Sequence, residues 1–134
     1  MLKTLLLLPL IGAAGLSLLP SRRVDLLRHL ASAIAAATMF CAGLLLLDFD
    51  PASADIQFFE TRPWNPRVGS HFALGVDGIS LPMVLLATVL CFVAIFSSTS
   101  IRSGAKLYFS LLLILETSLL IVFTARDWSL FYVC

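Results

Sequence analysis

Residues Leu107 to Ala125 read LYFSLLLILETSLLIVFTA, an apolar run with a single ionisable side chain, Glu116, about midway. A helix of this length rises roughly 28 Å at about 1.5 Å per residue, which matches the hydrocarbon core of a bilayer. A carboxylate at that depth costs several kcal/mol unless it is paired, hydrated or protonated, so an intramembrane Glu is a functional candidate by default. The stretch therefore predicts a membrane-spanning helix that carries one chemically costly residue.

Three similar runs precede it, at Leu2–Leu19, Leu30–Leu47 and Ile79–Ser98, and another begins at Trp128 as WSLFYVC. The whole chain of 134 residues is 60% hydrophobic and 13% charged, against about 45–50% and about 25% in soluble domains. The expected fold is an all-α integral membrane protein: four transmembrane helices plus the start of a fifth, forming one N-terminal transmembrane part over 1–134. A formal charge of +1 leaves no basic excess to neutralise phosphates, which excludes nucleic acid as a partner. Cys41, Cys91 and Cys134 are odd in number and lie in or beside apolar runs, so they read as packing residues rather than a disulfide framework or metal cluster.

The loop between the second and third runs has its own pattern. Asp55–Glu60 and Ser70–Leu74 partly alternate, with Pro63, Asn65, Pro66 and Gly69 between them. That predicts a short extracytoplasmic β-hairpin on the outer surface, with Trp64 at its tip as an interfacial aromatic. Just after it, Asp77 precedes Ile79 with Gly78 between, and Pro82 follows at an early helical position. These three read as a helix start, the Asp77 oxygen accepting from the first free N–H groups of the third helix. Gly75-Val76-Asp77-Gly78 lacks the lysine and glycine spacing of a phosphate loop. His71 has only the distant His29 as a companion and reads as a hydrogen-bonded loop residue, not a metal ligand.

Orientation follows from the short loops. Arg22, Arg23 and Arg28 occupy the first turn, and Arg102 and Lys106 the turn between the third and fourth runs, which predicts that both turns are cytoplasmic. The N-terminus and the 48–78 loop are then extracytoplasmic. Lys3 followed by a Leu-rich run and Gly12-Ala13-Ala14-Gly15 imitates a signal peptide, but hydrophobicity resumes through Leu19 and the segment reads as a retained span. The second run carries Ala31, Ala35, Ala42 and Gly43, a small-residue face suited to close helix contact in lipid.

On its own helix Glu116 shares a side with Leu112, Leu113, Leu120 and Phe123, so any partner comes from another helix. The other runs offer hydroxyls, such as Ser32, Thr38 and Thr88, or thiols, and no cation away from their ends. Two readings stay open at this point: proton handling by Glu116, or a protonated carboxyl hydrogen-bonded for structure alone.

Three pieces then carry a resemblance. His71 to Pro82, HFALGVDGISLP, resembles the LGVDGISLP signature before the third span of the antiporter-like subunit M (chain 4) of bacterial proton-pumping NADH:quinone oxidoreductase. Lys106–Phe109, Leu111–Glu116 and Val122–Val133 resemble its fourth span and the start of its fifth, and the Leu-rich opening with Pro9 and Gly12 is similar too. The resemblance implies a membrane-arm subunit in a bacterial plasma (inner) membrane or thylakoid membrane, neighbouring lipid and other membrane-arm subunits. It implies no cofactor in this chain, with NADH, flavin, iron–sulfur clusters and quinone on partner subunits, and redox-driven proton pumping by the whole. The family's best-known glutamate follows an FYVFWE stretch in span five. Here Phe131-Tyr132-Val133 matches its start, Cys134 replaces the usual Phe, and the sequence stops before the Glu. The chain thus reads as an N-terminal portion that cannot pump alone, with Glu116 as a membrane carboxylate and proton-pathway candidate and no catalytic redox site. Competing readings are a subunit of a multisubunit Na⁺/H⁺ antiporter or membrane-bound hydrogenase, or a small structural or assembly protein of four helices.

Overall fold

The computed structural model describes residues 2–20, 23–50, 56–65, 70–101, 103–126 and 132, with 60, 62–65 and 70–72 described by backbone alone. It is mostly helical: α1 (Leu2–Leu18), α2 (Val24–Leu47), α3 (Ser80–Ser97) and α4 (Ala105–Thr124), with β1 (Gln57–Asn65) and β2 (Ser70–Val76) between α2 and α3. Three helices, α2, α3 and α4, are long and apolar enough to cross a membrane, and α1 is a shorter apolar helix. The fifth run, expected from Trp128, lies outside the described residues except for Tyr132.

α2 begins at Val24 rather than at the expected Leu30. Its added first turns are polar: Arg28 Nη2 lies 3.6 Å from Asp25 Oδ1, and His29 Nδ1 lies 2.6 Å from the Asp25 carbonyl oxygen. A hydropathy pattern marks only the lipid-soluble part of a helix, whereas backbone bonding runs on until something interrupts it.

The helices pack so that each runs opposite to the one before. Leu2, Leu5 and Leu6 of α1 share one core cluster with Ala42 and Leu45 of α2, Leu81 and Val84 of α3 and Leu120 of α4. The second cluster joins the other ends: Ala13 and Leu16, Leu27, Ala31 and Ala35, Ile95, and Ala105, Phe109 and Leu113. α1 and α3 each pack on both α2 and α4, which also meet across the diagonal. Between the two clusters lies a waist whose buried residues are Pro9 and Gly12, Thr38, Ala87, Thr88 and Cys91, and Glu116 and Thr117. Large aliphatic side chains fill both ends of the bundle. The waist holds small and polar ones.

Gly12 and Gly43 separate two roles of glycine in such a bundle. A Cβ on Gly12 would come within 2.8 Å of Ile34 Cδ1 and Cγ2, while one on Gly43 would meet nothing within 4 Å. Ala at position 43 is expected to gain about 1 kcal/mol of helix propensity. At position 12 the same gain is offset by overpacking of about 1–3 kcal/mol. Unfolding in mild detergent should therefore rank Gly43→Ala above the parent chain and Gly12→Ala below it; equal values would mean that α1 and α2 do not meet at Gly12.

The hairpin forms as expected in kind and differs in detail. β1 and β2 are antiparallel, pairing Gln57 with Val76, Thr61 with Ala73, Pro63 with His71 and Asn65 with Ser70, with irregularities after Gln57 and after Pro63. Pro63, Trp64 and Asn65 are thus strand residues and not the tip; the turn residues 66–69 fall outside the described set. Pro is tolerated in β1 because this strand has a single partner and is irregular there. Phe58 takes φ 55° at the first irregularity, and its side chain packs on the core cluster. Nor does the hairpin merely lie on the surface: Leu74 and Val76 are members of that cluster, so β2 closes the end of the bundle.

Candidate functional site

α4 owes its continuity to strong helix formers on either side of Glu116, and the helix rotation then fixes where the carboxyl goes. Leu113 and Leu120, at offsets of three and four, anchor opposite clusters, so the residue between them is carried into the waist. Glu116 is completely buried, and neither carboxyl oxygen has a hydrogen-bond partner among the described residues.

The surrounding hydroxyls explain this isolation. Thr38 Oγ1 donates to Ile34 O at 3.0 Å, Thr88 Oγ1 to Leu85 O at 2.9 Å and Thr117 Oγ1 to Leu113 O at 2.9 Å. Each hydroxyl has one proton and has spent it on its own helix, keeping lone pairs only. Local bonding through Thr117 is therefore not the partner of Glu116. The Cys91 thiol of α3 lies within electrostatic reach of the carboxyl. No group of His, Cys, Asp and Glu suited to a metal occurs among the described residues.

A groove of about 410 Å³ runs along the seam of α1 and α4, bounded by Lys3, Leu6, Leu10, Thr117 and Ile121. It starts near the N-terminal end of α1 and reaches the residue next to Glu116.

The Asp77, Gly78, Pro82 motif sits apart, at the start of α3. Asp77 Oδ1 accepts from the N–H of Ile79 at 3.1 Å and of Ser80 at 2.7 Å, while Ser80 Oγ returns a contact to Asp77 N at 2.9 Å. Leu81 N–H bonds to Asp77 O at 3.0 Å, so Asp77 is the capping residue in function, in a reciprocal box. Gly78 is exposed with open space around it, and the helical bond that Pro82 cannot make would go to the carbonyl of this exposed glycine. These bonds make the motif the start of α3. His71 and Trp64 have no described side chains.

Sequence reasoning missed Arg126. Its Nη2 stands 2.7 Å from Asp77 Oδ2, and its backbone N–H donates to Ala73 O at 2.9 Å beside a Leu74–Ala125 bridge. The Nη2 contact is an ion pair by distance, without the alignment of a hydrogen bond. The Ser80 N–H and then the Arg126 guanidinium hold the Asp77 carboxyl well below its ordinary range. One residue thus ties the end of α4 to the cap of α3 and the edge of β2. Close approach here requires Gly75, since a Cβ on it would run into Ile56 Cγ2 and touch Arg126 Cγ. A pairing across so much chain leaves no local signal; the only hint was a cation directly after an apolar helix.

No protein-family profile matches the chain. Individual relatives do. NAD(P)H-quinone oxidoreductase chain 4 2 of Thermosynechococcus vestitus is 34% identical over 132 residues, 98% of this chain and 25% of the relative. NADH-ubiquinone oxidoreductase chain 4 of Chondrus crispus is 38% identical over 95% of this chain and 26% of the relative. NADH-quinone oxidoreductase subunit M of Rhodobacter capsulatus is 42% identical over 71% of this chain and 18% of the relative. The chain spans about a quarter of the length of the first two. The resemblance carried by the LGVDGISLP motif and the fourth run is upheld: relatives bearing the chain 4 or subunit M name cover most of this chain.

Proposed function

We propose that this chain, similar over nearly its whole length to chain 4 and subunit M proteins of quinone oxidoreductases, is an N-terminal membrane-arm portion of a proton-translocating oxidoreductase in which Glu116 carries a proton. One observation bears most of the weight. A fully buried carboxyl with no hydrogen-bond partner among the described residues lies at the waist of an apolar bundle. A bundle built for stability alone gains nothing from such a residue, whereas a proton carrier needs a group that can hold and release a proton away from bulk water.

In this reading all four helices cross the bilayer, α1 by local thinning and by Lys3 reaching for the interface, and a fifth crossing begins at Trp128. The N-terminus and hairpin face the extracytoplasmic side, because Arg22, Arg23, Arg28, Arg102 and Lys106 crowd the two short turns. NADH, flavin, iron–sulfur clusters and quinone belong to partner subunits and none to this chain. Its own neighbours are lipid and other membrane-arm subunits.

Glu116→Gln keeps the shape and removes the exchangeable acid. In membranes holding the assembled complex, proton uptake per electron is expected to fall by roughly an order of magnitude, with quinone reduction affected less. Unchanged pumping would leave Glu116 structural and defeat the reading.

A further inference from the structure

The groove between α1 and α4 is graded along its length. Lys3, Leu6, Leu7 and Leu10 recur at intervals of three and four, so they lie on one face of α1. Leu6, with Leu74 of β2 and Thr117 of α4, is buried and makes the floor; Leu7 and Leu10 are exposed and make the rim. From Lys3 to Leu10 the helix rises about 10 Å. The cation therefore stands at the end of the groove nearest the start of α1, and the far end lies beside Thr117, the neighbour of Glu116 midway along α4. In a bilayer that order runs from the headgroup layer towards the middle of the hydrocarbon. A phospholipid has the same order, with charge outside and tail inside.

Apolarity alone does not single this place out, because lipid tails are as apolar as leucine and gain nothing by exchanging one for the other. The exposed Met83, Leu86 and Leu90 of α3 make an apolar surface of that ordinary kind. The groove differs from it in shape and in charge. It is concave and encloses about 410 Å³, within the range of about 300–1,000 Å³ in which ligand sites fall. It also ends at a lysine, whose ammonium has three protons to give, so a contact made within the chain still leaves donors for a phosphate oxygen. At the inner end the Thr117 proton is committed to the Leu113 carbonyl, which leaves no donor there for a polar head and suits that end to a tail.

We propose that this groove is a binding site for one anionic phospholipid, with its phosphate on Lys3 and one acyl chain laid along the α1–α4 seam as far as Thr117. The site rests on the reading that these helices cross a bilayer, and it names the ligand that fills their seam.

Photo-crosslinking of the full chain in nanodiscs tests it, using phosphatidylglycerol and phosphatidylcholine of equal chain length, each with a diazirine on one tail. Phosphatidylglycerol is expected to label Leu7, Leu10 and Ile121 about fivefold more than phosphatidylcholine does, the advantage of one lysine towards an anionic lipid. Lys3→Gln should remove that preference and Lys3→Arg should keep it. Leu7→Trp, which fills the space, should lower labelling at Leu10 and Ile121 with both lipids. Met83, Leu86 and Leu90 should take both labels equally in every variant. Equal labelling of the groove by the two lipids, or a preference that survives Lys3→Gln, would overturn the proposal. So would loss of groove labelling in membranes holding the assembled complex, where a protein helix would then be the occupant. Absence of label on α3 as well would reject the crossing itself, and the site with it.

Discussion

The double replacement of Pro9 by Ala and Glu116 by Leu is expected to stabilise the bundle by about 3 kcal/mol or more. An interior Pro costs a helix about 3 kcal/mol, less where neighbouring groups satisfy the freed carbonyl. A buried acid costs about 1–3 kcal/mol unless it is well bonded. Either change alone should give its own part of that gain, since the two residues stand on different helices. Unfolding followed by far-UV circular dichroism in mixed micelles would measure it. A double variant no more stable than the parent chain would mean that neither residue is costly where it stands.

Asp77→Ala is expected to cost about 2 kcal/mol, from a lost helix cap of about 1 kcal/mol and a half-exposed ion pair of up to about 1 kcal/mol. Asp77→Asn should recover the capping half alone, since an amide oxygen still accepts from Ile79 and Ser80. The acid limb of stability gives an independent reading. The folded-state carboxyl sits below its ordinary 3.8, owing first to the Ser80 N–H and then to Arg126. Its contribution is therefore complete above that ordinary value and is lost as pH falls below it towards the folded-state value. Between about pH 4 and pH 2 the parent chain should lose stability that Asp77→Ala has already lost. Parallel acid limbs for the two proteins would remove Asp77 from the account.

Helix existence was legible because lipid solubility demands unbroken apolar runs, and Leu30–Leu47, Ile79–Ser98 and Leu107–Ala125 each contain or nearly match a helix. Helix ends were less so: Asp25, Arg28 and His29 look like loop residues by polarity, yet the backbone carries them into α2. The cap at Asp77 was legible because capping acts over three residues. The hairpin was half legible, since alternation marked two strands but could not tell that Leu74 and Val76 plug the bundle. Arg126 was illegible as a partner of Asp77, because their pairing depends on where two distant helix ends are brought.

For the site, the sequence by itself determined that one costly carboxyl, Glu116, would stand midway along an apolar run without a cation within a turn of it on its own helix, since burial depth follows from position within such a run. Only the tertiary structure decided what surrounds it. Two aliphatic clusters leave a waist between them, three threonine protons are spent on their own helices, and α1 brings a buried proline to the same level. Hydrogen-bond donors and acceptors on separate helices have no order along the chain; packing alone determines which of them share a layer, and so in which state a buried acid finds a partner.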